Sequence, residues 1–431
     1  MQVSVESIGK LERRMQVQVP AERVSQEIAS RLKQLSRTAR LKGFRPGKAP
    51  LTVIRQQFGQ RVHREVIGEL LRTSLTEALT QKQLAPAGDP RIEPKSIAEG
   101  QDLTYVATFE VFPEVALAPL GALQVERITA EVTESDVDAM IERLRQQQMT
   151  YTPVARPAAK GDRVTIDFEG SIEGVPFAGG KAENAPVVLG EGRMLAQLEL
   201  GLVGVSAGET KDIGVDFPAD YRATELAGKH ARFNVRVKSV EASELPEVDE
   251  EFCKLFAVTE GGVPQLRKEV TENMRRELEH ALRNRNKTVL LDKLYQANPI
   301  DVPNALLESK IRDMQIEIMR RTGAKDVSEA PAREPLMEPA RRSAALGILI
   351  TDIVRRERIT LDPKRASARL DELVGGYGDA AAVKQAYSQD PEAMRRVESL
   401  ALEDQVVDFI WARAKVSERR STFKEVMNFQ G

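Results

Sequence analysis

Gly43-Phe44-Arg45-Pro46-Gly47-Lys48-Ala49-Pro50 reads as a compact loop that presents one aromatic and two cations between two helical patterns. Gly43 and Gly47 open backbone angles closed to other residues, while Pro46 and Pro50 fix φ and remove N–H donors. A loop of that chemistry is stiff enough to hold Phe44, Arg45 and Lys48 outward. On its N-terminal side, Ala21 to Leu41 carries Val24, Ile28, Leu32 and Leu35 on one helical face, and residues 3–8 and 15–19 alternate as short strands. On its C-terminal side a second helix is expected from about Leu51 to Leu84, ending at Ala85-Pro86-Ala87-Gly88.

Charge gathers around this loop. Residues 31–72 hold eleven Lys/Arg against two Glu, a local charge of +9 in a chain whose net charge is −2. Such asymmetry suits one face made for a polyanion, although a basic helix can also simply stay solvated. The near-neutral total excludes a globally basic nucleic-acid binder.

Strand patterns return at Leu103–Phe112 and Val125–Thr129, and Thr133-Glu134-Ser135-Asp136 opens a helix carrying Val137, Met140, Ile141 and Leu144. After Pro153 and Pro157, Lys160 to Val240 is rich in glycine and alternating apolar residues, which predicts a β-rich domain. Glu244-Leu245-Pro246-Glu247 reads as a linker. From Asp249 onward helix is expected almost throughout, with apolar residues at helical spacing. Asn298-Pro299, Gly323, the Pro331/Pro335/Pro339 cluster, Asp362-Pro363 and Asp390-Pro391 separate the helices.

A chain of 431 residues exceeds one compact core, so several domains are expected. Its single cysteine, Cys253, cannot form an internal disulfide and points to a reducing compartment. The N-terminus lacks a signal-type apolar run, and no stretch approaches the roughly 18 apolar residues of a membrane span. A cytoplasmic protein is therefore expected. The longest apolar run, Gly347–Val354, is interrupted by Asp352. His63, His230 and His280 lie in separate segments, with His230 read as solvated and Cys253 as a buried small apolar residue. No phosphate-cradling Gly-Lys-Ser/Thr loop is present, so no use of ATP is expected; no cofactor and no metal are expected either. Met274, Met314, Met319, Met337, Met394 and Met427 dot the helices. Flexible thioethers suit surfaces that meet many apolar sequences, and equally fill ordinary cores.

The ninety-residue middle segment resembles FKBP-type prolyl isomerases in an ordered series: GDRVTIDFEG (161–170), SIEGVPFAGG (171–180), VLGEGRML (188–195), Gly201-Leu202 with Gly208-Glu209, FPADY (217–221) and the closing strand Ala231–Val240. The resemblance implies a proline pocket at Phe168, Phe177, Met194, Leu195, Leu198, Tyr221 and Phe233, with the Tyr221 hydroxyl able to hold a substrate carbonyl. Two positions depart from the family. Leu198 stands where an aromatic forms the pocket floor, a loss of about 1 kcal/mol in proline binding. Ala178 stands where the isomerases carry an acidic side chain, which predicts a preference for apolar residues before proline.

GFRPGKAP, the domain order and Asn-Pro-Ile-Asp-Val-Pro (298–303) resemble the trigger-factor family over essentially the whole chain. That resemblance implies an α+β multidomain protein: an α+β N-terminal docking domain with its connecting segment (1–150), an FKBP-like β-rich domain (151–243) and an all-α C-terminal chaperone domain (244–431). It implies an ATP-independent chaperone that docks at the ribosomal tunnel exit, on ribosomal protein and rRNA, through Phe44, Arg45 and Lys48. It would shield nascent and unfolded polypeptides and speed cis/trans isomerisation of X-Pro bonds, with no membrane partner and a homodimer of the free protein left open. Two other classes compete: a soluble prolyl isomerase acting mainly off the ribosome, and a structural RNA-binding protein of the ribosome. The acidic remainder of the chain argues against the second.

Overall fold

The computed structural model describes the chain except residues 40, 42, 43, 45–48, 220, 222, 224, 325, 376, 377 and 429–431, together with the side chain of Val327. Its first elements are β1 (Gln2–Ser7), β2 (Glu12–Val19), α1 (Ala21–Thr38), α2 (Leu51–Lys82), β3 (Arg91–Ser96), β4 (Leu103–Glu110) and β5 (Gln124–Thr129). Then come α3 (Glu134–Gln147), β6 (Thr150–Pro153), β7 (Arg163–Ile172), β8 (Val175–Val188), α4 (Ala196–Leu202), β9 (Thr210–Asp216) and β10 (His230–Glu244). The chain continues through α5 (Glu250–Leu255), α6 (Gly262–Ala297), α7 (Asn304–Thr322), α8 (Glu334–Glu357), α9 (Pro363–Val374), α10 (Ala380–Gln389) and α11 (Pro391–Trp411). It closes with β11 (Lys415–Arg420) and α12 (Phe423–Met427). The architecture is α+β and multidomain. Contacts divide it into two compact units, Met1–Arg127 with Arg285–Glu418, and Ile128–Asn284 with Arg419–Gly431.

In the first unit an antiparallel sheet of order β1-β2-β4-β3 turns alternate residues of β2 and β4 inward. Met15, Val17 and Val19 lie opposite Ala107, Tyr105 and Leu103, and all six are buried. The stripe at spacing four on α1, Val24, Ile28 and Leu32, joins Ile54, Val62, Val66 and Leu70 of α2 in the same core. Tyr105 keeps its hydroxyl satisfied there by Ser74, at 2.9 Å. Pro50, with φ of −60°, starts α2 without a side-chain cap.

The helical part of this unit packs Leu290 and Leu294 of α6, Leu349 and Ile353 of α8 and Val406 and Ile410 of α11 around Leu120, Leu123 and Val125. Asp352, which interrupts the apolar run of α8, is buried and paired with Arg355 and Arg356, each at 2.6 Å. Helix starts at Pro363 and Pro391, and the stops at Ala297 and Thr322, fall at the expected separators. Pro339 does not: it lies inside α8 as its sixth residue, beyond the first turn whose N–H groups lack intrahelical partners, so the helix forgoes one hydrogen bond there. The expectation of helix throughout also fails at β11. Its six residues are all exposed, so no apolar alternation marks them, and the strand forms by backbone pairing with β5. β3 likewise escapes the sequence because Pro94 and charged side chains hide its period.

The second unit holds a five-stranded sheet of order β6-β10-β7-β8, with β9 paired to β10. Val164 and Ile166 of β7 face the core with Val235, Val237 and Val240 of β10. α3 begins in a capping box between Thr133 and Asp136. α5, α6 and Leu144 of α3 share a small core of Phe252, Cys253, Val258 and Leu266. Among the described residues no helix is long and apolar enough to cross a membrane.

Candidate functional site

Period-two alternation brings the aromatic side chains of the second unit together. Phe233 of β10 lies opposite Gly170 of β7, and Phe168 lies opposite Val235. Glycine at 170 is a steric requirement: a Cβ there would come within 2.6 Å of the Phe233 ring and 3.1 Å of Phe177. Gly180 of β8 has the same role, since its Cβ would meet the Phe177 ring at 3.0 Å. With that room the rings stand in a continuous series. Phe168 meets Phe233 edge-on with centroids 5.8 Å apart, and Phe233 meets Phe177 at 6.0 Å. Phe177 meets Phe217 at 5.9 Å, and Phe217 meets Tyr221 at 4.8 Å. Edge-to-face geometry at these distances is the favoured packing of aromatic quadrupoles.

Leu198, 2% exposed, packs on the same cluster from α4, and Met194 and Leu195 pack on it from the preceding loop. All seven expected pocket residues thus belong to one apolar cluster. Phe168, Phe177, Met194, Leu195 and Tyr221 keep part of their surface open, whereas Leu198 and Phe233 are buried. Phe217 was not among the seven although it links Phe177 to Tyr221. The motif FPADY contained it, but its place in the ring series depends on the turn after β9. Glu199 was also missed. It is a buried carboxylate that accepts from the backbone N–H groups of Gly190, Gly192 and Met194 at 3.1, 3.3 and 3.2 Å. A charged residue in an apolar helix turn was its only signal.

Charged pairs lie on the exposed side of these strands. His230, exposed as expected, approaches Asp216 at 2.6 Å, and that contact, with a second from Gln197, holds the Asp216 carboxyl below its usual range. Asn184's N–H and Lys238 do the same for Asp167. Asn234 followed by Arg232 lowers Asp212. Among the pocket side chains only Tyr221 is ionisable. Ala178 is exposed and adds no carboxylate. Cys253 is buried in another core, and burial pushes its thiol up, against any role as nucleophile. Among the described residues no three His, Cys, Asp or Glu side chains are grouped to hold a metal.

The residues expected to dock fall within the first unit. Phe44 is 41% exposed between α1 and α2, while Arg45 and Lys48 fall outside the described residues. Arg31, Lys33 and Arg37 of α1 and Arg64 and Arg72 of α2 are exposed. Of the methionines, Met274 is buried, Met314 and Met394 pack on small cores, and Met337 is exposed on α8.

The chain matches the family profile described as bacterial trigger factor protein over residues 1–144 and its C-terminal counterpart over 262–412. Residues 154–238 match FKBP-type peptidyl-prolyl cis-trans isomerase. It is 44% identical over 428 residues to the trigger factor of Thioalkalivibrio sulfidiphilus (strain HL-EbGR7), covering 99% of this chain and 98% of the relative. Against the trigger factor of Pseudomonas putida (strain W619) it is 42% identical with the same coverage. A solved structure, described as "Promiscuous Substrate Recognition in Folding and Assembly Activities of the Trigger Factor Chaperone", superposes with a TM-score of 0.51 at 19% identity. That superposition covers 96% of this chain and 99% of the other, and supports the fold.

Proposed function

The chain belongs to the trigger factor family, chaperones with an FKBP-type peptidyl-prolyl cis-trans isomerase domain, and from that premise we propose how its residues divide the work. Residues 1–150 dock on the ribosome, 151–243 rotate prolyl bonds and 244–431 hold unfolded segments. The protein works in the cytoplasm without ATP. Phe44 enters an apolar site on a tunnel-exit protein, and Arg45 and Lys48 meet rRNA phosphate or protein carboxylates. The exposed cations of α1 and α2 extend that basic face.

The isomerase step follows from the ring series, the observation that carries the reading of the pocket. Rotating an X-Pro amide crosses a barrier of about 18–20 kcal/mol because the C–N bond is partly double. The twisted amide loses resonance and carries a less polar carbonyl. A cluster of Phe168, Phe177, Phe217 and Phe233 excludes water and so favours the twisted form over the planar one. Leu198 supplies the floor, Met194 and Leu195 a wall, and the Tyr221 hydroxyl holds the carbonyl. No nucleophile or metal is required for a bond rotation.

The test of docking is co-sedimentation with bacterial ribosomes, comparing wild type with the triple variant Phe44→Ala, Arg45→Ala, Lys48→Ala at low and moderate salt. Wild type should pellet and the variant should not, and raising salt should release wild type steeply as counterions return to phosphate. If neither protein pellets, the chain acts as a free folding enzyme.

A further inference from the structure

Glu199 lies beside the pocket floor yet contributes no surface to the pocket. It follows Leu198 on α4, is 7% exposed, and spends both carboxylate oxygens on one loop. Oε2 accepts from Gly190 and Gly192, and Oε1 accepts from Met194. Gly190 and Gly192 have φ of +95° and +69°, so this loop folds back through left-handed positions that place its N–H groups inward. The backbone donors of such a turn have no ladder or helix to satisfy them, and a buried carboxylate without partners would be strongly unfavourable. Each supplies what the other lacks, through charge-assisted hydrogen bonds stronger than neutral ones. Met194 and Leu195, the pocket wall, are the next residues along the loop, and Leu195 is the first residue before α4.

We propose that Glu199 is a positioning residue of the isomerase reaction. Its carboxylate fixes the loop so that the Met194 and Leu195 side chains close the apolar pocket against water. The rate of rotation then depends on Glu199 although it touches no substrate. This rests on the pocket reading given above. Glutamine keeps the shape but exchanges one acceptor oxygen for an NH2 group, which cannot accept from the loop. Either the Met194 bond or the Gly190 and Gly192 pair must be lost.

The experiment uses the full chain. Isomerisation of a Leu-Pro peptide is measured for wild type, Glu199→Gln, Met194→Ala and the double variant, alongside thermal unfolding and amide exchange at Gly190, Gly192 and Met194. Glu199→Gln should lose about tenfold in kcat/KM, mostly in kcat, with faster exchange confined to those amides and the protein still folded. In the Met194→Ala background the same change should cost only about threefold, because part of the wall it positions is already gone. A merely structural role would multiply the two losses. Glu199→Gln within twofold of wild type, or losses that multiply, would overturn the proposal while leaving the pocket reading in place. A wild type without isomerase activity would sink both.

Discussion

Gly170 shows how much one missing atom decides. Alanine there would drive a Cβ to 2.6 Å from Phe233, a ring that also meets Phe168 and Phe177 edge-on. Overpacking of this kind costs about 1–3 kcal/mol. Gly170→Ala should therefore lower isomerase activity at least tenfold while the domain still folds, as measured by peptide turnover beside the unfolding midpoint. Asp162 is a second residue whose effect can be signed. Its carboxylate is almost wholly buried, receives Arg156 at 2.6 and 3.0 Å and the Ala159 N–H at 2.8 Å, and is held below the usual range, chiefly by Arg156. A depressed carboxyl stabilises the fold above the unfolded value, near pH 4, and that stability disappears as pH falls through the folded value. Asp162→Asn should lower stability at neutral pH and flatten its fall below about pH 4. An unchanged acid limb in the pH dependence of unfolding would contradict this. The aromatic residues were legible because each sits in a recognisable motif. Gly170, Phe217 and Glu199 were not, since their roles depend on which strand or loop lies opposite.

At the scale of elements, the helical stripes carried through to the structure. Val24, Ile28 and Leu32 on α1 pack inward because residues four apart share a helical face. Ionic elements were less legible. Lys287 of α6 is 18% exposed and pairs with Glu403 at 2.8 Å and Asp404 at 2.6 Å on α11. Burial alone would lower its pKa, but the two carboxylates outweigh that and raise it. Removing one partner of a buried ionic cluster typically costs 3–5 kcal/mol. Both carboxylates retain about a third of their surface in water, so Lys287→Ala should fall near the low end, about 3 kcal/mol in urea unfolding. Lys287→Met, which refills the volume but leaves the same carboxylates unpaired, should recover only the packing part of that loss, about 1 kcal/mol. Strands β3 and β11 mark the other limit. Their pairing is made by backbone groups that every residue carries, so side-chain period cannot report it.

At the scale of the molecule, the residues proposed for docking and those of the ring series belong to separate units. Phe44 is exposed between α1 and α2, two helices that pack on the cluster around Met15 and Tyr105, and the ring series belongs to the cluster around Val164 and Val235. The triple docking variant should keep wild-type peptide isomerisation within twofold. Phe233→Ala should abolish that turnover and still pellet with ribosomes. Loss of both activities from either variant would show that the two cores act as one. Within the first unit, Glu110 of β4 accepts from the Asn304 side chain at 2.9 Å and the Ala305 N–H at 3.2 Å, capping α7. Gly88 leaves room for Ala305 nearby, where a Cβ would come within 2.3 Å.

By itself the sequence determined the local grammar of this protein: helical and strand periods, a basic tract around a segment rich in glycine and proline, and an ordered FKBP-like series naming seven side chains of one apolar cluster. These are legible because they depend on residues a few positions apart, or on motifs whose order alone is informative. Only the tertiary structure decided that residues 285–418 return to the N-terminal sheet to form one compact unit, with residues 128–284 placed in another. It also decided that two glycines make room for the rings, and that one buried carboxylate accepts from three N–H groups of the loop before α4. Each of these depends on atoms brought within a few ångströms from distant positions in the chain, and burial, sterics and hydrogen bonding act on distance in space rather than on spacing in sequence.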